Sequence, residues 1–312
     1  MLRQRTDLAL EARELWRQSA GETTRLEGVE AGERRREGWT VTAIRITGPA
    51  GVEALGKPEG NYITLELAGL EHREEGAFGR AVRALAEELR ALLPSSGGVL
   101  VAGLGNRAIT PDAIGPQAYD HTLITRHLVD QMPEHFGHLR PVAGLAAGVL
   151  GTTGVESGQL IQAVARQIQA GCIIAVDALA SRSLSRVCST IQLADTGITP
   201  GSGVGNHRHA LNRETMGIPV IALGVPTVVD GATLAADILA EAGRGELEPE
   251  ALAGTGASLM VTPRAVSYTH LDVYKRQILA SLKKAAWRII LVRLPRPISR
   301  AREMASQVYT LM

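Results

Sequence analysis

Aromatic side chains are scarce in this chain of 312 residues, at 3% of the whole. Any core must therefore be built from aliphatic side chains and alanine. The two cysteines, Cys172 and Cys188, are too few for a disulfide framework. Both sit in apolar runs and read as reduced core thiols, which implies a reducing compartment. Excess charge of one sign is missing as well: acids and bases balance to a formal +1, so no direct nucleic-acid surface is expected. No run approaches the roughly 18 apolar residues that a membrane-spanning helix needs. The start, Met1-Leu-Arg-Gln-Arg-Thr-Asp7, has no apolar core of a signal peptide. These absences predict a soluble, cytoplasmic protein with no membrane partner.

What is present is a 45% apolar fraction and 34 glycines, a composition that suits an α/β fold. Residues 1–37 are charged and helical in pattern. Gly38 to Thr47 and Asn61 to Leu67 alternate apolar and polar residues, as half-buried strands do, and are expected to pair antiparallel at an edge. His72 to Leu93 reads as a helix with Phe78, Val82, Leu85 and Leu89 on one face. A β-α-β unit follows, with a strand at 99–104, a helix from near Asp112 to before Pro133, and a glycine-rich connection from Ala143 to Gly158. A helix around Leu160 to Ile168 leads into a strand at 172–177; further strands are expected at 186–193 and 218–223, with a last helix at 232–242. Such alternation predicts three layers, α/β/α, around a mainly parallel sheet.

Two of these strands lead to an aspartate, one through a loop to Asp112 and the other directly to Asp177. Ligands in open α/β sheets collect beyond the carboxyl ends of the strands. Two acids delivered there by different strands can share one water and one proton, which acid/base hydrolysis requires. Taken alone, Asp112 after Thr110-Pro111 also fits an acid in the first turn of a helix, where it is stabilising. Asp177 closes the run Ile173-Ile-Ala-Val176, where a carboxylate is costly unless it is paired or lies at the sheet's edge.

Other signals are weaker. Asp195-Thr-Gly197 matches the triplet of pepsin-like proteases, but those are all-β and need two triplets; a turn is expected, with Asp195 a candidate for the cleft wall. Gly201-Ser-Gly-Val-Gly-Asn206 is neither a dinucleotide fingerprint nor a P-loop, which leaves Gly201, Gly203 and Gly205 as cleft candidates together with Asn106. His207 and His209 lack a third ligand at matched spacing, so a metal site is not expected. Ser181 and Ser183 lack a nucleophile elbow.

The segment Val266-Ser-Tyr-Thr-His-Leu-Asp-Val-Tyr-Lys-Arg-Gln277 breaks the composition, holding two of the chain's five tyrosines. Its codons can be written so that all but the last two bases form an inverted repeat centred on Leu271 and Asp272, each arm being the end sequence of a transposase-based library kit. The expectation is an α/β domain over 1–265, a sequencing-adapter junction at 266–277 and an unrelated tail at 278–312.

Nine ordered blocks resemble the germination protease family of spore-forming Firmicutes: Arg5-Thr-Asp-Leu-Ala-Leu-Glu-Ala12, Gly56-Lys-Pro-Glu-Gly-Asn-Tyr-Ile-Thr64, Gly103-Leu-Gly-Asn106 with Thr110-Pro-Asp-Ala-Ile-Gly-Pro116, Thr125-Arg-His-Leu128, Leu139-Arg-Pro-Val142, Gly148-Val-Leu-Gly-Thr-Thr-Gly154, Asp177-Ala-Leu-Ala-Ser-Arg-Ser183, Gly201-Ser-Gly-Val-Gly-Asn206 and Ile218 to Asp230. The resemblance implies an endopeptidase, an atypical aspartic protease with a fold like hydrogenase maturation proteases. It implies catalytic roles for Asp112 and Asp177, no cofactor, and small acid-soluble spore proteins as substrate, cut after an acidic and before an apolar residue. It further implies a homotetramer, a location in the forespore or spore core, and a zymogen whose propeptide has no counterpart in Met1 to Gln4. The family also continues past Pro263 into a helical C-terminus, which the junction replaces here. Two alternatives remain open: a metal-dependent peptidase like the hydrogenase maturation proteases, and a peptide-binding protein without catalysis.

Overall fold

The computed structural model describes residues 6–20, 26–67, 70, 76–201, 209–242 and 259–262. The junction and tail expected at 266–312 lie outside the described residues, as do Gly203, Gly205 and His207.

The chain opens with helix α1 (Ala9–Ala20) and a meander of strands β1 (Val29–Arg36) and β2 (Trp39–Ile46). A short helix α2 (Pro49–Leu55) leads to strand β3 (Gly60–Glu66). After helix α3 (Ala77–Leu92) comes strand β4 (Val99–Leu104), whose six residues are all buried. Helices α4 (Ile114–Asp120), α5 (Arg126–Gln131) and α6 (Pro133–Phe136) carry the chain to strand β5 (Val142–Gly148). Helices α7 (Leu150–Thr153) and α8 (Ser157–Gln167) precede the long strand β6 (Cys172–Ser181). Strand β7 (Thr190–Ala194), helix α9 (Arg213–Met216), strand β8 (Val220–Asp230), helix α10 (Gly231–Glu241) and strand β9 (Met260–Val261) complete the described residues.

The nine strands form one sheet in the order β1-β2-β3-β7-β8-β6-β4-β5, with β9 added beside β8. It is mixed, not mainly parallel as expected: five pairings run antiparallel and three parallel. The parallel block β8-β6-β4-β5 holds the β-α-β connections, whereas the meander β1-β2-β3 joins it antiparallel through β7. Helices cover both faces. Ala81, Leu85 and Leu89 of α3 and Ile114 of α4 pack on Val41, Leu65, Val101, Ile174 and Leu223. On the opposite face, Ile161 and Ala165 of α8 meet Leu100, Ala102 and Ile173, while α1 and α2 cover Ile44, Ile46 and Tyr62.

Several local expectations change. The antiparallel pairing of the strands at 38–47 and 61–67 is found, but β1 lies outside them at the edge, in a stretch expected to be helical. All of β1 is exposed or half-buried; charged residues there solvate and guard an open edge, so no apolar alternation marks it. The stretch expected to be a glycine-rich connection contains a strand, β5. The helix expected from Asp112 to Pro133 is broken into α4, α5 and α6, and β6 runs on to Ser181 because β8 continues beside it.

Candidate active site

The site grows from the loop after β4. Gly105 stands at φ +100°, a conformation open chiefly to glycine, and a Cβ there would lie 2.1 Å from the backbone oxygen of Asp112. The loop thus turns back tightly enough for the Asn106 backbone N–H to donate to Asp112 Oδ2 at 2.6 Å. A 3₁₀ turn, Thr110–Asp112, ends the loop, and α4 starts only at Ile114, so Asp112 lies in a short turn that precedes α4 and not in the first turn of a long helix. Gly115 lets α4 sit directly on the strands: a Cβ would approach the backbone oxygens of Leu104 at 2.2 Å and Val176 at 2.4 Å. This contact holds the aspartate loop over the ends of β4 and β6.

Asp177 arrives along β6. The pairing of β6 with β4 ends at Val176, opposite Gly103, so Asp177 is the first residue past it. Its side chain is only 5% exposed, and Oδ1 accepts from the Ala178 backbone N–H at 2.9 Å. The chain crosses from β4 to β5 on one side and returns to β6 on the other, which makes this end of the sheet the point where strand order switches, the usual place for a ligand crevice.

Both aspartates line one cavity of about 440 Å³. Apolar residues dominate its wall, among them Leu104, Ile109, Pro111, Val149, Ile198 and Met260. Gly201 also lines it. So does Thr227, a buried residue whose hydroxyl has no hydrogen-bond partner among the described residues.

The other candidates fall elsewhere. Asp195 clamps the start of β3, accepting from Asn61 N–H at 2.7 Å and from Asn61 Nδ2 at 2.6 Å; it lines neither this cavity nor its neighbour. Asn106 acts through its backbone N–H, while its side-chain Oδ1 accepts from Ala108 N–H at 2.9 Å. Ser181 is buried and donates to the Ser183 carbonyl at 3.0 Å, a turn contact. Cys172 is buried and Cys188 half-buried, both unbridged. Burial pushes the Cys172 thiol up to about 11. Among the described residues no group of three or more His, Cys, Asp or Glu is arranged to hold a metal ion.

Sequence reasoning missed Asp7, which lines the same cavity from the far end of the chain. Its N–H donates to the Ala180 carbonyl at 2.9 Å and its Oδ2 accepts from Ala180 N–H at 2.8 Å. Nearby, Glu11 is buried to 1% exposure and latches the strand end just beyond. It accepts from the backbone N–H of Arg182 at 2.6 Å and of Ser183 at 2.9 Å, and from Thr6 Oγ1 and the Arg186 guanidinium. The signal was the block beginning at Arg5, whose place beside β6 no local pattern reveals.

A match to the germination protease family, peptidase A25, runs over residues 9–241. The chain belongs to the germination protease family. Germination proteases of Caldanaerobacter subterraneus subsp. tengcongensis and Clostridium perfringens are each 44% identical to it, over 75% of this chain and 72% and 73% of their own. That of Clostridium tetani is 46% identical over 75% of this chain and 73% of its own. The protein is therefore a protease linked to spore germination. A solved NiFe hydrogenase maturation protease from Thermococcus kodakarensis aligns over 65% of this protease and 98% of its own chain, at 14% identity and a TM-score of 0.37, too loose an overlap to add to the fold described above. Among its described residues no helix is long and apolar enough to cross a membrane.

Proposed function

We propose that this protease cuts small acid-soluble spore proteins by aspartate-activated water, with Asp112 and Asp177 as the two acids. The observation that carries the reading is their common cavity at the ends of adjacent parallel strands. Two carboxylates around one water hold a single proton between them and titrate as a pair. The ionised member takes a proton from water as the oxygen attacks the scissile carbonyl carbon. The protonated member donates a hydrogen bond to the carbonyl oxygen, and a proton then passes to the departing amine as the C–N bond breaks. An apolar wall keeps competing water out and strengthens these interactions. In this reading the enzyme works as a homotetramer in the spore core. Its functional unit is residues 1–265, followed by the adapter junction at 266–277 and an unrelated tail at 278–312. Uninterrupted genomic reads that encode 266–312 would remove that last assignment.

The test is incubation of a small acid-soluble spore protein with the wild type, Asp112→Asn and Asp177→Asn, with and without chelator. The expected result is cleavage by the wild type, untouched by chelator, and its loss by a factor of about 10³ or more in either variant with the fold intact. Turnover retained in a variant removes the aspartate mechanism. Loss on chelation transfers it to a metal-dependent peptidase, and binding without turnover to a peptide-binding protein.

A further inference from the structure

A peptide taken out of water for cleavage brings main-chain carbonyl oxygens that each need a donor. The aspartate cavity is poor in them. Among the described residues that line it there is no lysine, arginine, histidine, asparagine or glutamine. Its charged side chains, Asp7, Asp112 and Asp177, are acceptors, and each already takes a backbone N–H. The one proton that Asp112 and Asp177 hold between them serves the scissile carbonyl in the proposed mechanism. A second carbonyl in search of a side-chain donor meets four hydroxyls: Ser157, Thr199, Thr227 and Thr262.

Two of the four are engaged. Ser157 donates to the Gly148 carbonyl at 2.9 Å, and Thr262 to the Thr227 carbonyl at 3.0 Å. Thr199 is half-buried, within reach of water. Thr227 is different: it is 5% exposed, and its hydroxyl has no partner among the described residues. A buried hydroxyl left unpaired costs folding free energy. Valine would fill the same space without that cost, and it stands on the same strand at Val225, Val228 and Val229. The backbone singles out this position too. Leu179 of β6 pairs with Pro226 and Ala180 with Val228, so Thr227 is the extra residue of a bulge, a device that re-aims a side chain beside a site. The turn that carries Asp112 packs against β8 as well as β6. One rotation about χ1 puts the Thr227 hydroxyl where its methyl was.

We infer that Thr227 is a substrate-binding residue whose hydroxyl donates to a main-chain carbonyl oxygen of the peptide beside the scissile bond. The inference rests on the aspartate reading of the cavity. It concerns the peptide backbone, so the contact is indifferent to the substrate's side chains.

The experiment measures kcat/KM on a spore-protein peptide, and Tm, for the full-length wild type, Thr227→Val and Thr227→Ser. Thr227→Val is expected to lose about tenfold or more in kcat/KM while its Tm holds or rises, because an orphaned hydroxyl has gone. Thr227→Ser, which keeps the hydroxyl, stays near the wild-type rate. Wild-type kcat/KM in Thr227→Val overturns the inference. A Tm that falls together with kcat/KM marks a structural threonine and overturns it too. A second arm replaces each amide beside the scissile bond in turn by a thioamide, a weaker acceptor. At one position the change should slow the wild type and leave Thr227→Val untouched; equal slowing of both at every position overturns the inference. If the wild type cuts no peptide, the aspartate reading fails, and Kd for the intact peptide decides about Thr227 alone. Weaker binding by Thr227→Val then leaves the assignment standing, and equal Kd values remove it.

Discussion

The two halves of the sheet reach stability by different means. The parallel block β8-β6-β4-β5 is apolar along its strands, with every residue of β4 buried and only Ala178 of β6 half-buried. Glycines there bring backbone against backbone, and both aspartates project from its ends. The antiparallel block β1-β2-β3-β7 ends in a charged outer strand instead, where Arg34 and Arg36 of β1 reach the buried Glu88 of α3. The difference teaches that the aspartate cavity sits where the backbone is least adjustable, and that the charged half closes the core without entering that cavity. Glu11 ties the two together: α1 covers the antiparallel half, yet its glutamate holds the strand end past Asp177.

The largest way to break this comparison is Glu11→Ala. It orphans the N–H groups of Arg182 and Ser183 and takes a buried carboxylate from Arg186, a loss of about 3–5 kcal/mol. Chemical denaturation should show that drop, and peptide turnover should fall with it, because the chain just past β6 loses its anchor. Gly115→Ala comes next. The added methyl meets backbone oxygens that no rotamer change can move, so about 2–3 kcal/mol is expected to go, with reduced kcat from the shifted Asp112 loop.

A pH titration sharpens the contrast. Burial raises the Cys172 thiol from 9.0 to about 11 and the Tyr62 phenol from 10.0 to about 12. A folded-state pKa above the unfolded one means stability that is full below the unfolded value and is lost as pH climbs to the folded value. The parallel half, through Cys172, should therefore lose stability between pH 9 and 11, and the antiparallel half, through Tyr62, between 10 and 12. The fall in unfolding free energy across that range should shrink by about 3 kcal/mol in Cys172→Ala over the first window and in Tyr62→Phe over the second. The smallest effect belongs to Glu88→Gln: about 1 kcal/mol of stability, because Arg34 and Arg36 are partly exposed, with kcat/KM unchanged.

What could be read from the sequence follows the same division. Strand β4 has the limits its apolar run predicts, and Asp177 stands out because a carboxylate closing such a run needs a reason to be there, whereas Asp112 is reached only through the loop after β4. The meander side was harder. Strand β1 carries Glu30, Glu33 and Arg34 to Arg36 at an exposed edge, so burial leaves no periodicity to find. Strand β5 reads as a glycine-rich loop because small residues suffice beside β4. Asp7 enters the aspartate cavity through contacts across the chain, with Ala180 and with Lys57, which no local window holds. Asp195 lies in the turn expected for its triplet, and its side chain is spent on Asn61 and not on the cleft wall.

The central claim is that two carboxylates handle one water between them. Its most direct measurement is kcat/KM on a spore-protein peptide for the wild type, Asp112→Asn, Asp177→Asn and the double variant. Groups that act as a unit are not additive, so each single change should abolish turnover and the double change should cost nothing more. Losses that multiply, or a single variant that still cuts, would contradict the account.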